Sequence, residues 1–467
     1  MEDIVAYIKE KLKRNFNETI LKNSDLSLFE RDIKLFTERI TKEVIKSFLE
    51  DYDEMLKLDK KRDSRYVVQR KSGKNIISTL GTFKIERTKY YDKVDKRYFY
   101  MLDERLNIPS YERFTPYALS KMIKEAVNTS YKKAGEEINN FDIISKGTVY
   151  NKIKKLEVKE EYKEKENKRK VKVLYINIDE DHISLQKAKE RSVLGKIAYI
   201  YEGTIKECKN RYRLTYKHTI CGTYEKTSGN RAFYENINRY IECNYDTKYL
   251  DKIIVYGDGA SYIKASIEYI PKSEFRIDKF HLSKYISQAS FTIIGNRHIL
   301  KKDIYKCLYE EDKEKFIDLM DDAIYSSNNI KVIKDTKDYI LNNWDAINRT
   351  IFAKEGNCSA EGNVSHTLSV RMSQKGLGWS KHNADQICKL RGIQSNYGES
   401  IFIDIANEYY KNRMFYIDKD KRNNNEYYRE CIMNKTNDKR YIEQIQVSIP
   451  DQLAKRIGIL GADLHLN

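Results

Sequence analysis

The sequence has few of the residues that interrupt regular structure, with only four prolines and 19 glycines among 467 residues. It therefore has little room for low-complexity linkers. No stretch approaches the roughly 18 consecutive apolar residues of a membrane span, so we expect no membrane partner. The N-terminus, MEDIVAYIKEKLKRNF, is charged throughout and lacks the apolar core of a secretory signal. Seven scattered cysteines, an odd number, predict reduced thiols in a cytoplasm.

The charge is strongly positive. Lys and Arg number 87 against 70 Asp and Glu, which gives a net charge of +17. This excess favours a polyanionic partner, with nucleic acid first and an anionic membrane second. Biased base composition of a genome also produces chains rich in Lys, Ile, Asn and Tyr, so the charge alone leaves the partner open.

Hydrophobic patterns divide the chain into eight segments and predict an α/β fold. A mixed sheet with a helical insertion is preceded by a mainly helical region with a small β part. The segments are an N-terminal helical segment at 1–60, a small β-rich region at 61–105, two helices at 106–156, a charged linker at 157–170, the first part of the α/β core at 171–282, the helical insertion at 283–355, the last part of the core at 356–410, and a basic C-terminal region at 411–467.

The segment SYKKAGEEINNFDIISKGTVYNKIKKL has the pattern of a helix, a short turn and a second helix. Ala134 and Ile138 supply the inner face of the first helix, and Val149 and Ile153 supply that of the second. This arrangement is typical of a helix-turn-helix that inserts its second helix into the DNA major groove, although a generic helical hairpin fits as well. The polar positions of the second helix are Lys146, Thr148, Asn151, Lys152 and Lys154.

Two carboxylates follow strands that are predicted to be buried. Asp179 follows an apolar strand that ends at Ile178, and Asp258 follows another inside a Gly-Asp-Gly turn. Ligands collect at such strand ends, and clustered carboxylates that lack partners usually hold a cation or act as a base. Oxygen ligands suit Mg²⁺ or Mn²⁺, and a pair of ions about 4 Å apart can drive phosphodiester chemistry. The candidate third carboxylate is Glu361, after the insertion; each aspartate alone could also simply cap a turn.

Four acidic motifs stand in the order of a known family. They are Ile178-Asp179-Glu180-Asp181-His182, Tyr256-Gly257-Asp258-Gly259-Ala260, Arg276-Ile277-Asp278-Lys279-Phe280-His281 and Ala360-Glu361-Gly362-Asn363-Val364-Ser365-His366. With Leu102-Asp103-Glu104, Ser130-Tyr131 and Gly378-Trp379-Ser380, they resemble DDE-type insertion-sequence transposases of the ISLre family, which are distantly similar to Mutator-like transposases. The resemblance runs from about residue 60 to 400.

The resemblance implies a ribonuclease H-like catalytic domain interrupted by the helical insertion. It also implies that Asp179, Asp258 and Glu361 hold two Mg²⁺ (or Mn²⁺) ions for DNA strand cleavage and strand transfer. The implied partners are double-stranded DNA, as terminal inverted repeats and as target, and further copies of the chain in at least a dimer. The implied location is the prokaryotic cytoplasm, at the nucleoid.

Further residues are accessory candidates. Asp181 is an alternative first acid, and Asp278 and His281 are expected either to contact DNA or metal ligands or to pack structurally. Trp379 either stacks on an unpaired base or packs in the core. The basic candidates for DNA contact near it are Arg371, Lys375 and Lys381.

A zinc site is only weakly indicated, because the spacing of Cys208, His218, Cys221 and Cys243 matches no Cys-x-x-Cys knuckle. Two other functions stay open at this point. One is a DNA-binding protein with an inactive ribonuclease H-like domain, and the other is a different metal-dependent nuclease.

Overall fold

The structure is a computed structural model that describes residues 26–59, 64–159, 162–186, 190–208, 211–294, 297–353, 365–374 and 377–419. The described chain forms two compact units. The first takes its residues from 1–149 and 402–467, and the second from 150–401. The eight-segment division is finer than these units and stays a prediction.

An antiparallel sheet organises the first unit, in the order β1-β2-β3. Its strands are β1 (Tyr66–Ser78), β2 (Gly81–Asp92) and β3 (Arg97–Tyr100). β1 runs through Ser72 and Gly73, because both residues pair with β2. The helices of this unit are α1 (Leu26–Leu58), α2 (Met101–Arg105), α3 (Pro116–Asn128), α4 (Tyr131–Glu136) and the first part of α5 (Lys146–Lys154).

The connection between α4 and α5 is longer than the short turn that the sequence predicted, and it spans residues 137–145. The Asn139 side chain accepts hydrogen bonds from the backbone N–H groups of Phe141 and Asp142. Asp142 in turn accepts a hydrogen bond from the N–H of Thr82, next to the β1–β2 turn. The connection is therefore an ordered loop that is held against the β1–β2 turn.

A five-stranded mixed sheet organises the second unit, in the order β10-β9-β4-β5-β8. Its strands are β4 (Val173–Ser184), β5 (Ser192–Tyr201), β8 (His218–Thr223), β9 (Lys252–Gly257) and β10 (Ser273–Ile277). β4, β9 and β10 run parallel, whereas β5 is antiparallel to both β4 and β8. The structure therefore confirms the prediction of an α/β fold with a mixed sheet. A separate two-stranded ribbon contains β6 (Gly203–Cys208) and β7 (Arg211–Thr215).

Helices cover this sheet and follow it. The core under α6 (Lys226–Asn244) joins Phe233 and Ile237 of that helix to Ile176, Ile178 and Val255 of the sheet. The other helices of this unit are α7 (Ser261–Lys264), α8 (Ser266–Tyr269), α9 (Lys279–Phe291), α10 (Arg297–Glu310), α11 (Lys313–Tyr325), α12 (Ile330–Asn342), α13 (Trp344–Ile351), a π-helix (Ser365–Ser369), α14 (Val370–Met372) and α15 (Lys381–Tyr397). The last described helix, α16 (Ile401–Lys419), belongs to the first unit from Phe402 onward. Among the described helices, none is long and apolar enough to cross a bilayer.

β4 is longer than predicted. The sequence was expected to leave the strand at Asp179, but β4 continues to Ser184 because β5 pairs with it along that whole stretch. What ends near Asp179 is the parallel pairing with β9, whose last pair is Asn177 with Tyr256. Asp179 therefore lies inside a strand, at the position where the strand loses its neighbour on one side.

Candidate acidic site

Three aspartates lie at one level across three adjacent strands. β4, β9 and β10 share one register row, formed by Asn177, Tyr256 and Arg276. Two residues further along each strand direction comes an aspartate: Asp179, Asp258 and Asp278. Because neighbouring strands lie about 4.8 Å apart, this register brings the three carboxylates to one edge of the sheet.

Each of these carboxylates accepts a local backbone hydrogen bond through Oδ1. The donors are the N–H groups of Glu180 for Asp179 (2.8 Å), Ala260 for Asp258 (2.9 Å) and Phe280 for Asp278 (3.0 Å). Asp278 thereby caps the N-terminus of α9. Local turn and cap geometry thus fixes the orientation of the acids without a basic side chain.

The pKa of Asp179 is perturbed. It is raised to about 6, chiefly by burial and to a smaller extent by the charges of Asp258 and Asp278, against the opposing effects of the Glu180 N–H and of His281. Desolvation and like charges both disfavour the carboxylate form, so a cation at this position would be attracted. Such a perturbed acid in a cluster is typical of a functional site.

His281 supplies positive charge to the cluster. Burial opposes its protonation, yet the interaction with Asp278 and the charges of Asp179 and Asp258 raise the pKa of His281. Its Nδ1 atom lies 3.6 Å from Asp278 Oδ2. Asp278 and His281 therefore belong to the same cluster as Asp179 and Asp258.

Asp181, the alternative first acid, has a different environment. Its Oδ2 atom accepts a hydrogen bond of 2.7 Å from the Ser373 hydroxyl. Asp258 and Asp278 act electrostatically on Asp179. The structure thus groups Asp179 with the other two aspartates and joins Asp181 to the segment before α15.

The candidate third acid, Glu361, lies outside the described residues. The described segment that follows it contacts the Asp179 side of the sheet. Thr367 interacts with the hydroxyl of Tyr199, which pairs with Asn177 two residues before Asp179. The carbonyl of Thr367 also accepts a hydrogen bond from Arg391.

The described residues do not form a complete metal site by themselves. Within these ranges, no group of three or more His, Cys, Asp or Glu side chains could hold a metal ion. The zinc candidates accordingly do not converge. Cys208 is exposed on β6, and the thiol of Cys243 donates to the carbonyl of Tyr162.

The polar side of α5 faces solvent. Lys146, Asn151 and Lys154 are exposed, and Thr148 and Lys152 are half-buried. The hydroxyl of Ser145 accepts a hydrogen bond from the N–H of Thr148 and so caps the start of the helix. Val149 and Ile153 are buried, as are Ala134 and Ile138.

Two candidates for DNA contact are wrong as surface residues. Trp379 is 4% exposed and donates a hydrogen bond from Nε1 to the carbonyl of Met372, so its ring cannot stack on a base. Arg371 is also buried, with its guanidinium 4.5 Å from the centre of the Trp379 ring. Both side chains pack inside the unit because Trp379 pairs with the end of β4.

The other two basic candidates of this region differ in status. Lys375 lies outside the described residues. Lys381 is exposed and forms ion pairs with Glu190 and Glu225. It can therefore reach a ligand only if those pairs open.

Sequence reasoning missed a buried polar group beside the aspartates. Lys196 of β5 is 3% exposed and lies directly opposite Glu180 of β4. Its ammonium group is 3.9 Å from the centre of the Tyr262 ring. The available signal was a lysine inside an otherwise apolar strand, VLGKIAYIY, where an unpaired charge would be costly.

Comparison with known proteins identifies relatives over most of the chain. The model of UPF0236, described as an uncharacterised protein family, matches residues 21–401. A UPF0236 protein of Caldanaerobacter subterraneus subsp. tengcongensis, whose name joins eleven gene designations, is 35% identical over 82% of this chain and 81% of its own. Another from the same organism is 33% identical over 84% of this chain and 83% of its own.

Among solved structures, the Drosophila P element transposase strand transfer complex matches 64% of this chain and 84% of its own. The TM-score is 0.22 and the sequence identity is 12%. At this TM-score the similarity supports no conclusion about the fold or function of this chain.

Proposed function

The chain belongs to the UPF0236 family, and we propose that it is a DDE-type DNA transposase that cleaves and transfers the strands of an insertion sequence. The observation that carries this proposal is the alignment of Asp179, Asp258 and Asp278 across three adjacent parallel strands. Acids at the ends of parallel strands are suited to hold hard divalent ions.

The architecture around the acids supports the proposal. Three antiparallel strands continue into two parallel strands on the β4 side, and helices follow the last of them before Glu361. This arrangement fits a ribonuclease H-like domain with a helical insertion. The contacts of Thr367 and Ser373 with the Asp179 side of the sheet support a third ligand at Glu361.

The donor chemistry fits Mg²⁺ or Mn²⁺. The acids offer oxygen atoms alone, and the raised pKa of Asp179 reflects its burial first and the like charges of Asp258 and Asp278 second, both of which a bound cation would offset. Asp179, Asp258 and Glu361 would hold the ions. When bound, two such ions would supply Lewis acidity to the attacking and leaving oxygen atoms.

The proposed reaction has two displacement steps. Water attacks a phosphodiester at the end of the element, the bond to the 3′ oxygen breaks, and that oxygen takes a proton. The freed 3′-hydroxyl then attacks a phosphodiester of the target, forms the new bond and releases the target 3′ oxygen. The exposed lysines of α5 would bind the terminal repeats, and the joining of two ends requires at least a dimer.

The names of the relatives favour a mobile element. One relative's name joins eleven gene designations of a single organism, and another's joins four. Many genes for one product in one genome are what a DNA segment that copies or moves itself leaves behind.

A second candidate function is a DNA-binding protein whose acidic domain is inactive. The exposed Lys146 and Lys154 of α5 would serve DNA binding by such a protein as well.

Strand transfer in vitro separates the two functions. The purified chain is mixed with Mg²⁺, target plasmid and duplexes that carry the DNA flanking its coding region. The transposase is expected to join those ends to the plasmid, and Asp258→Ala is expected to abolish joining while binding persists. Binding without joining by the wild type indicates the inactive protein, cleavage without joining indicates another nuclease, and undiminished joining by Asp258→Ala contradicts the proposal.

A further inference from the structure

Tyr262 lies in the short helix that follows the turn containing Asp258. It lies on α7, which begins directly after the Asp258-Gly259-Ala260 turn. Its side chain lies against two charged groups of the sheet. The Lys196 ammonium is 3.9 Å from the ring centre, and the hydroxyl is buried, forms no hydrogen bond with a described residue, and lies in the electrostatic field of the Glu180 carboxylate. The ring therefore connects the turn that carries Asp258 with β4, the strand that carries Asp179.

Strand pairing fixes the relative positions of the two charged residues, Glu180 and Lys196. Glu180 and Lys196 are directly opposite in the antiparallel pair of β4 and β5. Glu180 is the immediate neighbour of Asp179, and its N–H donates to Asp179 Oδ1. A displacement of Glu180 would therefore move the Asp179 carboxylate as well.

Two residues of helix α6 form hydrogen bonds with Tyr262 and Lys196. The hydroxyl of Tyr234 donates to the carbonyl of Tyr262, and the ammonium of Lys196 donates to Asn230 Oδ1. Both partners lie on α6. Tyr262 is thus held through its backbone and its ring, while its hydroxyl lies in a buried environment where Glu180, Asp258 and Asp179 all disfavour its ionisation.

We propose that Tyr262 is a positioning residue for the acidic site. The contact of its ring with Lys196 and the hydrogen bond from Tyr234 to its carbonyl fix the Asp258 turn relative to Asp179. Its importance for metal binding rests on the proposed function. The positioning itself is a property of the chain alone. A displacement of about 1 Å between two metal ligands is enough to weaken a site that requires defined geometry.

The test compares Tyr262→Phe and Tyr262→Leu with the wild type in the full-length chain. Phe removes the hydroxyl alone, and Leu also removes the ring below Lys196. Tyr245→Phe is the control, because Tyr245 is a buried tyrosine whose backbone pairs with Arg169, which precedes β4 at the opposite end of that strand. Thermal unfolding midpoints identify any variant that is globally destabilised.

The first readout is hydrogen exchange of peptides that cover residues 256–264. We expect exchange there to be roughly tenfold faster in Tyr262→Leu, which loses the ring, and less accelerated in Tyr262→Phe, which keeps it, with no change in Tyr245→Phe. The second readout is binding of Mn²⁺ alone, measured by calorimetry. Loss of a group that orients metal ligands is expected to weaken it about 10-fold to 100-fold.

The outcomes separate the two proposals. Wild-type exchange rates in both Tyr262 variants overturn the positioning role, as does equal acceleration in Tyr245→Phe. A wild type that neither binds Mn²⁺ nor cuts DNA overturns the proposed function, whereas the exchange rates still decide whether Tyr262 holds the turn.

Discussion

The hydroxyl of Ser373 donates a hydrogen bond of 2.7 Å to Asp181 Oδ2. This bond distinguishes two acids that the sequence could not separate. Asp181 is engaged by the segment downstream of Glu361, whereas Asp179, two residues earlier on the same face of β4, lies in the field of Asp258 and Asp278. Asp179 is therefore the better candidate for the first metal ligand.

Substitution of Asp179 and substitution of Asp181 should lower the strand-cleavage rate by different factors. We expect Asp179→Asn to lower the strand-cleavage rate by roughly 10³-fold, because a ligand is lost. Asp181→Asn keeps an acceptor for Ser373 and should lower it by less than about tenfold. Cleavage of a labelled duplex measures both rates. Asp251→Asn, an exposed aspartate immediately before β9, is the control; the reverse order of losses would assign the first ligand to Asp181.

DNA affinity should depend on the exposed lysines of α5. Lys146→Ala and Lys154→Ala each remove one charge from the solvent-facing side of that helix. If each lysine contacts a phosphate, the slope of log K against log[salt] should become shallower by about 1 per substitution. Fluorescence anisotropy over a salt series measures it. Lys313→Ala, an exposed lysine on α11, should leave the slope unchanged; an equal effect there would mean that binding is not localised on α5.

The sequence was sufficient for features that depend on local pattern. Apolar spacing correctly identified the buried positions Ala134, Val149 and Ile153, and the Ser145 cap follows from the preference of serine for helix N-termini. The positions of Asp179 and Asp258 after apolar runs indicated that their strands would share a sheet edge. Periodicity and capping are short-range properties, so one chain carries enough information to predict them.

Features that depend on strand partners could not be predicted in the same way. β4 continues past Asp179 because β5 pairs with it, and no local signal reports the length of a partner. For Trp379, in a Gly-rich and basic segment, the sequence left base stacking and core packing both open, and backbone pairing with the end of β4 buries the residue. The same holds for Lys196, whose burial depends on Glu180, Asn230 and Tyr262 being brought together by the fold.

Loss of the Trp379 side chain should destabilise the protein rather than weaken DNA stacking. The ring is 4% exposed and packs against Arg371, and its N–H bonds to Met372. We expect Trp379→Ala to lower the free energy of unfolding by about 3–5 kcal/mol, since it leaves a cavity and removes a hydrogen bond. Denaturant unfolding measures it, with Tyr325→Ala, an exposed aromatic residue, as control. Unchanged stability together with lost DNA affinity would restore the stacking role.

Acid sensitivity should have a specific contribution from His218. Burial lowers its pKa from 6.5 to about 3, and Lys165 lowers it too. The ring stacks on Tyr240 with centroids 3.8 Å apart, and Nε2 lies 3.3 Å from the Tyr162 hydroxyl. The folded state therefore favours the neutral imidazole, whereas the unfolded chain binds a proton near pH 6.5. Stability from this residue is present above pH 6.5 and declines as pH falls toward 3.

The size of this contribution can be measured with one substitution. Between neutral pH and pH 5, protonation of the unfolded chain at His218 should cost the folded state about 2 kcal/mol. His218→Phe retains a ring against Tyr240 but cannot titrate. Its free energy of unfolding should consequently fall less than that of the wild type over this interval, by about the same 2 kcal/mol. Urea unfolding at pH 7 and pH 5 gives the four values, and His298→Phe, an exposed histidine on α10, is the control. Parallel declines in wild type and His218→Phe would mean that His218 is protonated in the folded protein, in which case the Tyr240 stack must accommodate an imidazolium.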